Sequence, residues 1–482
     1  MPVARLFRFV LALALMAAVA ARPAAAPRRA GTSAINIPFE RMTLENGLEV
    51  VLAPDHSLPQ VAVNLYYHVG SKNEVPGRTG FAHMFEHVMF TGSAHVPYGL
   101  HDRLTEGVGG TNNGSTNNDR TNYYEVVPSN YLESQLWMEA DRMGFLLDKL
   151  DEAKFVAQRD IVQNERRQRT DNQPYGRAYE ITDFAIHPAS NPYSWPVVGY
   201  LADLQRATVS DVKRFFREYY SPNNATMTIA GDFDVAEARA LVKKYFTDIP
   251  RGPAIRRPQV PRTPLTAERR ITFEDRVQVP RLYMVWLAAS QRSEDDAALN
   301  VLQEVLGKAN SRTARLTKTL VYDQQSASNV LVINSPNEDV GTFLIQLTPR
   351  PGHSLAELEA TTDSVIARLK AEGPTSEEIA KASAGLEFAF VSALQSNLGK
   401  SDILNDGLVF HGDAGYYKQE YAKLKAVTAA DIKRVANSYL VAPRVVLSVV
   451  PLGKADQASH AATSSLVTVA PDGGHYLMGA PR

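Results

Sequence analysis

No cysteine occurs among the 482 residues. Its absence excludes disulfides, thiol nucleophiles and cysteine-rich zinc sites together, so any metal site must be built from His, Asp or Glu. An excess of one charge is also missing. Lys and Arg number 51 against 52 Asp and Glu, a formal net charge of −1, which removes the electrostatic footprint of a nucleic-acid or anionic-surface binder. Long apolar runs are scarce. The first residues, "MPVARLFRFVLALALMAAVAARPAAAPRRAG", place an apolar run after Arg5 and Arg8 and then small residues. At about 13 residues the run is short of the roughly 20 that span a bilayer. Residues 1–26 therefore read as a secretory signal peptide, cut near Val19-Ala20-Ala21 or Ala24-Ala25-Ala26. A periplasmic or secreted mature protein is expected, with no membrane span after cleavage, and a chain without cysteine is spared thiol oxidation there.

What remains has the composition of a globular protein, 44% hydrophobic and 21% charged, and is long enough for two or more domains. From residue 35 onward, strand-like and helix-like segments alternate. "RMTLENGLEVVLAPD" carries an Asn46-Gly47 turn between apolar runs, a hairpin signal. "QVAVNLYYHVG" and "TNYYEVVP" read as strands; residues 79–92, 131–150 and 151–169 have helical spacing. Five prolines between Pro250 and Pro264 mark a linker. The pattern then repeats: "TVSDVKRFFREYYSPNNATMTIAGD" from Thr208 is echoed by "TAADIKRVANSYLVAPRVVLSVVPLG" from Thr428. Both run Thr-x-x-Asp-apolar-Lys-Arg, helix, break, apolar strand, which indicates a duplicated domain rather than a short-period repeat. The expected organisation is an α+β protein of two similar halves, 35–250 and 265–455, each an antiparallel-rich sheet covered by helices. A linker, 251–264, joins them, and a loosely ordered tail, 456–482, follows.

One short stretch does not suit a purely structural helix. "FAHMFEHVMF" places His83, Glu86 and His87 among Phe81, Phe85, Val88 and Phe90. Burying three titratable groups without partners costs several kcal/mol, of order 2–7 for one unpaired polar group. His83 and His87 are one helical turn apart, so both imidazoles reach one ion, and Glu86 borders the same face. H-x-x-E-H is the inverzincin order of zinc peptidases. Catalytic zinc takes three protein ligands, and a neighbouring carboxylate can accept a proton from the attacking water. The third ligand must be a carboxylate or another His. Glu165, in "DIVQNERRQR" on the second long helix, is the candidate. His56, His68, His95, His101 and His187 read as surface or hydrogen-bonded residues.

With its surroundings, this constellation resembles the pitrilysin/insulinase family of zinc metallopeptidases. The likeness covers nearly the whole mature chain: "GRTGFAHMFEHVMFTGS", "GGTNNGSTNNDRTNYYEVVP", "LWMEADRM", "YYSPNNATMTIAGDFD", and Glu165 ahead of "DNQPYG". It implies one Zn2+ per chain held by His83, His87 and Glu165. It also implies that Glu86 is the general base of a zinc endopeptidase cleaving peptides or unfolded segments in an enclosed chamber. By the same likeness "GGTNNGST" forms an edge strand that pairs with an extended substrate, with Asn113 and Gly114 as substrate-binding positions.

The chain departs from the family in places. Asn300, Gln303 and Glu304 fall opposite His83, Glu86 and His87, so the second half is expected to be metal-free. Gln158 stands where many members carry a further Glu. Active members also use an Arg and a Tyr, seven apart, to bind the substrate carbonyl. Arg315 and Tyr322 have that spacing, but the pattern around "LTKTLVYDQQSASNV" puts Val321 and Ser328 at those positions. On the second register the pair is missing, which implies a heterodimer with a homologous subunit that supplies it. The rival is a non-catalytic structural subunit of the same fold.

Overall fold

The computed structural model describes residues 35–307, 311–471, 473 and 475–481; the segment read as a signal peptide lies outside them. The Asn46-Gly47 signal marks a real turn. Strand β1 (Glu40–Thr43) pairs antiparallel with β2 (Glu49–Pro54), and Gly47 sits at φ +94, a region that glycine enters without steric cost. Strand β3 (Gln60–Tyr67) is followed by helix α1 (Phe81–Val88). A hairpin of β4 (Thr111–Thr116) and β5 (Thr121–Pro128) comes next, then helices α2 (Leu132–Phe145), α3 (Glu152–Arg166), α4 (Ala178–Ile186) and α5 (Val209–Tyr219), and strand β6 (Ala225–Gly231). The first sheet runs β1-β2-β6-β3-β5-β4. Only the β2–β6 pair is parallel, and β4 is an edge.

The second half repeats this order. Strands β7 (Arg269–Asp275) and β8 (Arg281–Ala288) precede helix α6 (Asp296–Gly307), then the hairpin of β9 (Ala327–Ser335) and β10 (Gly341–Pro349). Helices α7 (Asn397–His411) and α8 (Ala429–Tyr439) lead to β11 (Val445–Pro451). The core order β7-β11-β8-β10-β9 matches β2-β6-β3-β5-β4 strand for strand. The matched Thr-x-x-Asp motifs are capping boxes. Thr208 and Asp211, and Thr428 and Asp431, each exchange side-chain-to-backbone hydrogen bonds at the start of α5 and α8.

Residues beyond Gly453 differ from the loosely ordered tail expected of an Ala/Ser/Gly-rich composition. They form β12 (Ser465–Val469) and β13 (Tyr476–Pro481), which extend the second sheet from β7. Val467 and Tyr476 bury their side chains, which secures these short strands.

Both halves belong to one unit, Ile37–Arg482, and they exchange helices. Helix α4 of the first half packs Ala178, Ile181 and Ala185 against Tyr283, Val285 and Leu447 of the second sheet. In return α7 of the second half covers the first sheet through polar bonds. Asn64 donates to Asp402 at 2.7 Å, Tyr66 to Asp402 at 3.0 Å and Thr228 to Asn405 at 2.7 Å. The 251–264 segment has no regular structure but is pinned: Arg257 donates to His68 O at 2.9 Å and Asn224 Oδ1 at 2.8 Å.

An ionic cluster also joins the halves. Glu338, in the β9–β10 turn, accepts from His68 Nε2 at 2.7 Å and pairs with Lys72 and Arg292. Asp119 and Asp339 lie beside it, 2.9 and 3.2 Å from Lys72 Nζ. Burial alone would raise the Glu338 carboxyl, but His68 and Lys72 override it and bring it down to about 2. A depressed carboxylate contributes stability above its unfolded pKa and loses it as pH falls toward the folded value. Glu338→Gln is expected to lower stability by about 3 kcal/mol at pH 7. The deficit should shrink as pH falls from 4.5 toward 2, read from urea midpoints across that range. A pH-independent deficit would show that the charge is not what stabilises the cluster.

Candidate metal and peptide site

Helix α1 is short and held from outside. Gly80, at its N-cap, sits at φ +88, and a β-carbon there would lie 2.7 Å from Val198 O. The buried Glu74 carboxyl occupies the helix N-terminus and accepts N–H bonds from Gly80 at 2.9 Å and Ala82 at 2.8 Å. Those bonds satisfy orphan amides of the first turn, while burial raises the carboxyl to about 8. Underneath, Phe85 is fully buried and stacks on Phe215 and Phe216. Burying one such ring is worth about 1.5–3 kcal/mol.

That anchoring leaves the other face of α1 to His83, Glu86 and His87, which are only partly buried. Helix α3, capped by Asp151 on Lys154 N at 2.8 Å, brings Glu165 to the same place. Glu165 Oε2 lies 3.1 Å from His87 Nε2 and 3.6 Å from His83 Nε2. Donor atoms of all three lie within 4.8 Å of one another. Arg169 holds the second oxygen, Oε1, at 2.5 Å. The next residue fixes the end of α3. Arg166 is buried, makes a two-pronged pair with Glu180 at 3.0 Å and donates to Gly199 O at 2.7 Å. Tyr476, from the C-terminal strand, donates to Glu180 Oε2 at 2.6 Å.

Burial, reinforced by the charge of His87, pulls His83 down to about 4, so its imidazole is neutral at pH 7 with a lone pair for an ion. Two imidazole nitrogens and one carboxylate oxygen are a donor set that suits Zn2+. Glu86 stands beside this set. Its carboxyl is raised by burial, while a hydrogen bond from Thr116 and the charge of His87 pull it down. Thr116 Oγ1 donates to Glu86 Oε2 at 2.6 Å. Thr116 ends β4, so the free edge of the sheet runs beside Glu86. Asn113 is exposed on that strand, its Oδ1 accepting from Gly114 N at 2.8 Å. Gly114 has little room: a β-carbon would lie 3.0 Å from Glu86 Cγ.

The second half has no such donor set among the described residues. Gln303 Oε1 there accepts from Asn334 N on β9 at 2.6 Å, and Asn300 bonds Asp296 and Asn334. Arg315 is committed elsewhere. It forms a two-pronged pair with Glu378, at 2.6 and 2.8 Å, and donates to Gly373 O at 2.9 Å. Tyr322 is 45% exposed and lies under Arg312 rather than Arg315.

Among the described residues one further cluster gathers donors: His101, Glu125 and Glu139, all buried. Arg142 already supplies its positive charge by pairing with both glutamates, so it reads as a closed ion pair. His68 and His95 bond Glu338 and Asp141, and His56 bonds Asp232. Sequence reading missed Glu74, Thr116, Arg169 and the Arg166–Glu180–Tyr476 set. Arg169 has a signal, its i,i+4 spacing from Glu165; the others have none, because each acts across loops or between elements.

Two family models match the chain: Insulinase (Peptidase family M16) over residues 49–186, and Peptidase M16 inactive domain over residues 206–386. The chain is 30% identical over 406 residues to the zinc protease PqqE of Helicobacter pylori, covering 83% of this chain and 90% of that protein. It is 22% identical over 422 residues to a probable mitochondrial-processing peptidase subunit beta of Arabidopsis thaliana, covering 85% and 77%. The crystal structure of a protease from Helicobacter pylori superposes with a TM-score of 0.80 at 28% identity, over 86% of this chain and 100% of that one. The likeness to these relatives and to that structure spans both halves of the chain. The chain belongs to the M16, or insulinase, peptidase family.

Proposed function

We propose that the chain is a zinc endopeptidase of the periplasm or of the secreted space, cleaving peptides or unfolded polypeptide segments inside a chamber closed with a homologous partner subunit. The observation that carries this reading is the convergence of His83, His87 and Glu165 beside Glu86 and an open sheet edge. His83, His87 and Glu165 would hold the metal. Zn2+ supplies Lewis acidity, polarising a carbonyl and lowering a water pKa toward about 7. Glu86 accepts the proton of the attacking water and returns it to the leaving amine. Thr116 keeps the Glu86 carboxylate turned toward that task. The β4 edge, with Asn113 and Gly114, pairs with the extended substrate backbone and sets which peptide bond faces Glu86.

Arg315, occupied by Glu378, supports the register in which the carbonyl-binding Arg/Tyr pair comes from a partner. A quenched-fluorescence peptide tests this. Chelation should abolish cleavage and added Zn2+ restore it, and a homologous subunit carrying the pair should raise the rate well above that of the chain alone. Tyr322→Phe should change that rate by less than about twofold, as a half-exposed surface substitution does. A fully active homodimer that loses activity on Arg315→Ala would overturn the partner requirement.

A further inference from the structure

The β9–β10 turn belongs to the half without the donor set, yet it grips the hairpin beside Glu86. The two halves meet here hairpin tip to hairpin tip. The first tip, residues 117–120, follows directly on Thr116. Strand β4 has one neighbour in the sheet, β5, so pairing alone leaves its outer side unrestrained.

The restraint comes from the tip. Asp119 is buried and uses both oxygens. Oδ1 accepts from Tyr193 OH at 2.7 Å and lies 2.9 Å from Lys72 Nζ; Oδ2 accepts from Glu338 N at 2.9 Å. Glu338 is itself clamped by His68, Lys72 and Arg292. Ser71 N and Lys72 N donate to Asn117 O and Asn118 O at 3.2 and 2.8 Å. Gly70 makes that approach possible, since a β-carbon there would lie 2.4 Å from Asn117 O.

We propose that Glu338 is a positioning residue for the site in the other half: its carboxylate, sharing Lys72 with Asp119, holds its own backbone N–H on Asp119, fixes the β4–β5 tip and so holds Thr116 against Glu86. The metal-free half thereby acts on the site of the other half through this turn. The inference rests on the metallopeptidase reading for its catalytic consequence, and on geometry alone for the coupling.

The test uses the full chain with Glu338→Gln, Thr116→Val and the double variant. Amide hydrogen exchange over residues 111–121 should rise about tenfold more than over residues 81–88 in Glu338→Gln, because the fall in global stability reaches both segments and the lost local restraint only the first. On a peptide substrate, kcat should fall about tenfold with KM within about twofold and zinc content unchanged, as expected when a catalytic group is misplaced. The double variant should be no slower than Thr116→Val alone, since both changes break one chain of contacts. Exchange at 111–121 that rises no more than at 81–88, or effects that multiply, would overturn the proposal. Should Glu338→Gln fail to fold, Arg292→Gln, on the half-exposed side of Glu338, decides: exchange at 111–121 rises more than at 81–88, or the proposal falls. If wild type and Glu86→Gln cleave equally, the metallopeptidase reading fails, and the exchange data still decide the coupling.

Discussion

Glu86→Gln should reduce kcat by about 10²–10⁴-fold, the range in which a positioned general base contributes, while zinc content and KM stay near wild type. Glutamine keeps the volume and can still accept the Thr116 Oγ1 hydrogen bond that Glu86 Oε2 now accepts at 2.6 Å. What it loses is the ability to take a proton. Phe81, Met84, Phe85 and Val88 of the same helix remain packed in the core, so α1 should not move. The measurement is peptide turnover beside metal analysis and a thermal melt of the same preparations. A variant that retained zinc and cleaved at the wild-type rate would remove Glu86 from the mechanism.

His83→Ala and Glu165→Gln should abolish metal binding at stoichiometric zinc. Each removes one of three donors that lie within 4.8 Å of one another, and the loss should exceed the 10–100-fold that altering a supporting residue costs. Arg169→Ala, which frees Glu165 Oε1 without removing a donor, should fall in that milder range of about 10-fold. The second readout is thermal. Metal bound only by the folded state adds about 4 kcal/mol at a thousandfold excess over Kd, so chelation should lower the wild-type Tm and leave that of His83→Ala unchanged. Equal zinc content in wild type and His83→Ala would place the ion elsewhere.

Much of the protein is readable from local pattern. His83 and His87 share a face because a helix repeats every 3.6 residues, and nothing distant is needed to bring them together. The Asn46-Gly47 turn, the β5 strand "TNYYEVVP" and the capping boxes at Thr208 and Thr428 are equally local, since backbone geometry and near-neighbour hydrogen bonds decide them. The duplication is legible because both copies keep the same order of polar and apolar residues. Composition misled at the C-terminus. Small and polar residues suggest a loose tail, but Val467 is buried on a strand paired with β7 of the second half, and Tyr476 packs on Phe184 and Tyr200 and reaches Glu180 in the first.

What the sequence by itself determined is therefore the candidate motif and the two-copy plan: residue type and short spacing select His83, Glu86 and His87. Only the tertiary structure decided how far apart the rest would lie. It brought Glu165 to the histidines, set Thr116 on Glu86, tied Arg315 to Glu378, and carried α4 and α7 each onto the other half's sheet. The physical reason is separation along the chain. A hydrogen bond or ion pair between residues far apart in sequence leaves no periodic mark, because its geometry exists only after both cores have packed. The Glu338–Lys72–Asp119 cluster is the extreme case: it joins two hairpin tips whose residues, read one at a time, are ordinary turn and surface charges.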